Sequence, residues 1–297
     1  MHDIRQAFQI AGQNFSGWKK SPRIWMTFAM AFVLCLMLSD QVLTQAVKYE
    51  THLQILEPFI WTFGDAASVM LSSLLLILLF ADMPFVSQAT PYWLIRTKRN
   101  VWLAGQIIYV FLATVIYNLF LLVVLGIMAA PFSFLGNVWS ETAAMLGYGG
   151  GESITVPISV KTMEISTPYA CAALVFLLML LYSLLVAVFM LFLNLTCGNA
   201  AGVLGAFALN LYGLLLNPAV FQKIFHFTGN LEYRANVLCG WLSPLNHATF
   251  PMHNFGYDYL PRIPVSVAIF LVLICGLVVL SGIKMRKYNF SFVQMDE

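Results

Sequence analysis

Charge is what this sequence has least of. Lys, Arg, Asp and Glu make up 9% of its 297 residues, where a soluble domain carries about 25%. So few charges cannot coat a globular surface of this size, which excludes a water-soluble domain. The net charge of +2 comes without a basic block or an acidic tail, so nucleic acid is not an expected partner. Cysteine is sparse and odd in number: Cys35, Cys171, Cys197, Cys239 and Cys275 show no paired spacing, so neither a disulfide framework nor a metal site is expected. No GxxxxGK[ST] run and no kinase or hydrolase signature occurs, so no nucleotide is expected to bind or be hydrolysed here. The glycine-rich run Gly147 to Gly151 lacks the following Lys and Ser or Thr of a phosphate loop. His247 and His253 stand six apart without HExxH or cysteine ligand spacing, which argues against zinc. The N-terminus carries no small-residue cleavage site after its first apolar run, so it does not read as a cleaved signal peptide.

What the sequence has is long apolar runs, with 60% hydrophobic residues. About 20 apolar residues in helix cross a bilayer. Six runs qualify: residues 24–38 (extendable towards Val47), 66–81, 101–128, 170–196, 202–216 and 265–283. The expected fold is all-α: a single polytopic membrane domain of six transmembrane helices with an N-terminal amphipathic interfacial helix. The core of each run is free of Asp, Glu, Lys, Arg and His. Asp40 enters only if the first span is extended. Ion- and proton-coupled carriers place ionisable groups at mid-membrane, so a secondary transporter is disfavoured. An intramembrane enzyme would need convergent Ser/His, paired Asp or HExxH residues within the spans, and none is found.

Lys and Arg set the orientation. Ten fall on one side: Arg5, Lys19, Lys20, Arg23, Arg96, Lys98, Arg99, Lys284, Arg286 and Lys287. Five fall on the other, spread over longer loops. Both termini are therefore expected in the cytoplasm.

Four segments are candidates for mechanism. In residues 3–20, Ile4, Phe8, Ala11, Phe15 and Trp18 recur at spacings of four and three, a stripe that would lie in the membrane interface, as a generic anchor or as a helix that transmits force from a partner. Residues 82–100 are proline-punctuated and end in a cationic cluster; Tyr92, Trp93, Arg96, Lys98 and Arg99 either obey the positive-inside rule or dock a cytoplasmic protein. Within the spans, Gln106, Tyr109 and Tyr117 share one helical face, and Gly202, Ala206, Asn210, Gly213 and Asn217 share another. Such small and polar stripes serve close helix packing, or else a cavity or subunit interface. The last outer stretch, 218–262, is too apolar for a solvated loop. It reads either as short helices dipping back into the bilayer or as a folded cap.

Three stretches carry a resemblance. The start, IRQAFQIAGQNFSGWKKSPRIW, is similar to the N-terminal interfacial helix of ABC-2 type transporter permeases. Phe80 to Phe120, FADMPFVSQATPYWLIRTKRNVWLAGQIIYVFLATVIYNLF, resembles a group of short bacterial permeases encoded apart from their ATPase, and WLSPLNHA, Trp241 to Ala248, fits the same group. The resemblance implies six spans per subunit, a second permease subunit and two copies of a cytoplasmic ATPase that bind the ATP and Mg. It implies that residues 3–20 and 82–100 touch that ATPase. It also implies short re-entrant helices between spans five and six, and that spans one, two and five border the central cavity. The expected activity is ATP-driven export of amphipathic or antimicrobial peptides or other hydrophobic cargo. The alternative is a non-ABC membrane protein: a scaffold, an intramembrane enzyme or a secondary transporter.

Overall fold

The computed structural model describes residues 2–85, 90, 91, 95, 97–149, 158–216, 218–226, 232–256 and 258–288. Helix dominates them. The long elements are α1 (His2–Ser16), α2 (Pro22–Lys48), α4 (Ala66–Leu79), α5 (Arg99–Ala129), α8 (Pro168–Cys197), α9 (Asn199–Leu215) and α13 (Ile263–Met285). The short ones are α3 (Glu57–Phe63), α6 (Glu141–Tyr148), α7 (Val160–Ile165), α10 (Pro218–Phe225), α11 (Glu232–Leu242) and α12 (Pro244–Ala248). One parallel pairing of two residues each, β1 (Leu53–Gln54) with β2 (Ser133–Phe134), ties the stretch before α3 to the stretch after α5. Among the described residues four helices, α2, α5, α8 and α13, are long and apolar enough to cross a membrane. The number is up to six if each bent pair, α3 with α4 and α9 with α10, is one span.

The helix starts are written locally. Pro stands in the first turn of α2, α8 and α13, where its missing N–H costs nothing. Asp65 caps α4, accepting from the Ser68 N–H at 3.1 Å. Ser140, Ser159 and Ser243 cap α6, α7 and α12 in the same way, each meeting an orphan donor of the first turn. Gly198, at φ 96°, turns the chain from α8 directly into α9. L-residues with a Cβ resist that backbone region, so the tight α8–α9 hairpin depends on this glycine.

The apolar runs and the helices coincide to within a few residues, with three differences. First, α2 continues past Leu38 to Lys48 and so takes in Asp40. Second, α3 was not expected at all. Its seven residues are all buried, and it meets α4 at 86° across Gly64 and Asp65. Third, α3 carries the buried acid Glu57, so ionisable groups do enter the helical bundle. Glu57 has an evident job. Its carboxylate accepts from the Ser140 N–H at 2.7 Å, the Ser140 hydroxyl at 2.6 Å and the Gln54 N–H at 3.2 Å. Those three donors offset part of the cost of burying the carboxylate and hold α6 over α3. Trp61 and Trp139, with ring centroids 5.2 Å apart, reinforce the same lid. The stretch 129–169 is therefore, in its described part, a cap on α3.

The core runs through α8, the most enclosed of the long helices, while α13 is the least. α8 packs against α9, α13, α5 and α4. The 218–262 stretch is built from α10, α11, α12 and a 3-10 turn over Phe250–Met252, with α12 packed on α4, α8 and α9. Its buried residues include Leu245, Ala248 and Phe250, which accounts for the apolar composition.

Candidate functional site

The ends of the cationic segments meet at one end of the bundle. α1 lies along the first turns of α5. The reason is Gly105: a Cβ there would sit 2.8 Å from Ile10 Cβ and 2.9 Å from the Ala7 carbonyl oxygen. Without it, the two helices come into backbone-near contact. Asn14 Nδ2 donates to Gln106 Oε1 at 3.1 Å, and Gln106 Nε2 donates to the Phe85 carbonyl at 3.4 Å. One turn on, Trp18 Nε1 donates to the Tyr109 hydroxyl at 2.7 Å. The Phe15 and Phe85 rings flank Tyr109 with centroids 4.8 and 4.7 Å away. Arg23, at the start of α2, pairs with Asp82. Asn194 of α8 donates to the Met83 carbonyl at 2.6 Å. Residues 82–85 are thus bonded to α2, α5 and α8, and α1 reaches them through Gln106.

The other end of the 82–100 segment is tied as firmly. Arg99 Nη1 donates to the carbonyls of Arg286 at 2.9 Å and Tyr288 at 3.1 Å. A guanidinium at the C-terminal end of α13 meets its orphan carbonyls and its dipole. Lys98 pairs with Asp3 of α1 at 3.5 Å; both side chains are largely exposed, so this pair contributes only about 0–1 kcal/mol.

These contacts dock α1 through a face other than the expected interfacial stripe. Its buried face is Ala7, Ile10 and Ala11, whereas Ile4 and Phe8, expected to share the stripe with Ala11, are 64% and 56% exposed. Ala7, Ile10 and Ala11 face α5 beside Gly105, and Ile4 and Phe8 are left outward. Phe15 and Trp18 keep an inward role through Tyr109. Arg99 uses Nη1 on the end of α13. Tyr92, Trp93 and Arg96 lie outside the described residues, as does Asn217.

The two span stripes are buried within this one chain. Asn210 Oδ1 accepts from Ser73 and from the Tyr182 hydroxyl, the latter at 3.0 Å, and its Nδ2 donates to Ala206 O at 2.9 Å. Tyr117 donates to Ser72 O at 2.9 Å. A side chain at Gly202 would overlap Asn194, and one at Gly213 would lie 2.8 Å from Leu245 Cβ. Gly202, Ala206, Asn210 and Gly213 are therefore contacts of α9 with α8, α4 and α12, not surface offered to a second subunit. The face of α9 left exposed carries Leu204, Phe207, Leu211 and Leu215, and that of α2 carries Trp25, Met30, Val33 and Met37. The hollow beside Trp61 and Thr162 measures about 10 Å³, room for about one water. Larger hollows along α2 and α13 are open grooves.

Sequence reading missed Asn14, Asp82, Phe85 and Asn194, which lock the junction. The polar Asn14 on an otherwise small buried face was the one visible signal. It also set His247 and His253 aside, although both are buried and converge on Ser266. No family model, no curated protein and no solved structure matches the chain.

Proposed function

We propose that the chain is the membrane-spanning permease subunit of an ATP-driven exporter of the ABC-2 type. In this reading it has six spans, both termini in the cytoplasm of a bacterium, and ATP bound by two copies of a separate ATPase. A second permease subunit completes the transporter, and amphipathic peptides or other hydrophobic cargo move out of the cell. The observation that carries the reading is the junction in which 82–85, α1, the start of α5 and the end of α13 interlock. A partner pressing on the 82–100 segment would displace α1, α2, α5, α8 and α13 together, because each is bonded to that segment or to its ends. An energy-coupling seat needs that property. The exposed apolar faces of α2 and α9 supply the surface on which a second subunit would close a path. Secondary transport is less well supported: the buried acid, Glu57, has three donors on its carboxylate and serves the lid over α3.

The test is capture of the cognate ATPase by the purified permease, scored beside membrane insertion. Deleting residues 86–95 should abolish capture while insertion continues, since the spans are untouched. Full retention of the ATPase by the deleted, inserted protein would overturn the seat. Orientation is checked with single cysteines on a background lacking the native five. Replacements at Lys20 and Lys287 should be shielded from an impermeant reagent in intact cells, and those at Leu135 and Tyr259, both about 80% exposed, should be labelled.

A further inference from the structure

At the end of the bundle away from α1, three buried side chains from three elements meet. His247 belongs to α12, His253 follows the 3-10 turn, and Ser266 sits in the first turn of α13. All three are nearly without solvent contact. The Ser266 hydroxyl lies 2.8 Å from His247 Nδ1 and 2.8 Å from His253 Nε2. The remaining ring nitrogens face backbone carbonyls: His247 Nε2 is 3.1 Å from Trp241 O, and His253 Nδ1 is 3.0 and 3.2 Å from the oxygens of Thr249 and Phe250.

A hydrogen count follows from these distances. Carbonyl oxygens only accept, so His247 Nε2 and His253 Nδ1 carry hydrogens. A neutral imidazole has one N–H, so His247 Nδ1 and His253 Nε2 are then both acceptors. Both face one hydroxyl, which has a single hydrogen to give. With both rings neutral, one of the two 2.8 Å contacts sets lone pair against lone pair. Switching either ring to its other tautomer only moves the conflict to a carbonyl. One added proton removes it: the charged ring donates to the Ser266 oxygen, and Ser266 donates to the other ring. A second proton would leave the Ser266 hydrogen without an acceptor in the cluster and place two charges side by side.

We propose that His247, Ser266 and His253 form a binding site for one proton, taken from bulk water and shared between the two imidazoles through the serine hydroxyl. Binding changes the link from α13 to its neighbours from one hydrogen bond to two. The site joins α12, the 3-10 turn and α13, and stands independently of the transporter reading.

The surroundings fix where in pH it fills. Burial pushes both imidazoles below the ordinary value of 6.5, and His253 to about 4, with the His247 and Lys161 charges adding to the effect on His253. Lys161 of α7 donates to His253 O at 3.2 Å, but it is paired with Asp258 at 2.7 Å. α8 and α4, packed nearby, carry no acidic or basic side chain, and on α13 only the distant Lys284 is basic. Tyr182 approaches only through Phe270, whose ring also meets His247 edge-on. The count sets the number of protons at one, and the burial sets the range below pH 6.5.

The experiment is histidine side-chain NMR on the full chain in lipid nanodiscs, with labelled histidine and single-histidine replacements for assignment. His247 and His253 should shift together with one common midpoint between about pH 4 and 6.5, and the pair should take up one proton. Ser266→Ala should separate the two titrations, and Ser266→Thr, which keeps the hydroxyl, should retain the common midpoint. Independent titration of the two rings in the unmodified protein, or rings that both stay neutral down to pH 4, would overturn the proposal. Because the unmodified protein decides by itself, a Ser266→Ala chain that fails to fold does not shield it.

Discussion

Replacing Gly105 should release α1 without unfolding the bundle. In Gly105→Ala the new methyl group begins 2.8 Å from Ile10 Cβ and 2.9 Å from the Ala7 carbonyl oxygen. Neither atom is the end of a flexible chain, so α1 as a whole must retreat. Ordinary carbon contacts are about 3.5–4.0 Å, which requires a shift of roughly 0.7–1.2 Å. That shift lengthens the Asn14–Gln106 bond from 3.1 Å past the useful range and strains the Trp18–Tyr109 bond. Overpacking of this kind costs about 1–3 kcal/mol. The same change favours α5 as a helix by about 1 kcal/mol, since Gly is the poorer helix former. The two effects act on different things: the bundle as a whole changes by about 0–2 kcal/mol, whereas α1 docking bears the full 1–3 kcal/mol. Opening of α1 should therefore rise roughly 5- to 150-fold, at tenfold per 1.4 kcal/mol. Amide hydrogen exchange over residues 2–16 reads this directly, with α8 as the internal reference. Gly105→Leu should exceed Gly105→Ala. Unchanged exchange in α1 in both variants would refute the claim that the missing Cβ seats the helix.

Asn210→Leu strips the acceptor from Ser73 and Tyr182 and should cost about 1–2 kcal/mol in a membrane bundle; Tyr182→Phe should cost less, because Ser73 keeps its partner, and thermal unfolding in detergent will rank them. Gly202→Ala should lower the melting temperature further, since Asn194 must leave its bond to Met83 O; an unchanged melting point would mean that α8 and α9 yield more easily than their contact implies. Stability should also depend on pH through the His247–His253 pair. Burial holds both rings below the unfolded 6.5, so stability is full above pH 6.5 and falls as pH drops through the pair's common midpoint. His253→Gln should flatten that slope in pH-dependent melting curves. Arg99→Gln should loosen the end of α13, seen as faster proteolysis after Lys284, with little effect on α1.

How much of this could be read in advance follows from what each element depends on. The runs at 101–128 and 170–196 became α5 and α8 nearly residue for residue, because a stretch of Leu, Val and Phe without charges has one stable form in a bilayer. α3 escaped notice because seven residues with a Pro and a Glu carry no periodic signal, and its burial depends on Ser140, 83 positions away. The stripe on α1 was found at the right spacing but on a flank turned from the docked one. Hydrophobicity alone favours Phe8 over Ala7, whereas the docked flank is set by the missing Cβ of Gly105 on a distant helix. Gly202, Ala206 and Asn210 were recognisable as a contact face, but their partners Asn194, Ser73 and Tyr182 lie on other helices. The proton site was invisible for the same reason: a serine thirteen positions past His253 belongs to no motif.

The seat of α1 also imposes a schedule on biosynthesis. Asn14 and Gln106 are 92 residues apart, and chains grow at roughly 5–20 residues per second, so α1 waits on the order of 5–20 s after emergence before its partner helix exists. During that interval the groove beside Gly105 does not yet exist, and α1 is without its partner. Arg99 waits longer still, since its acceptors at Arg286 and Tyr288 are 187 and 189 residues further on. Of the helices in the junction α13 is made latest, and its end closes it.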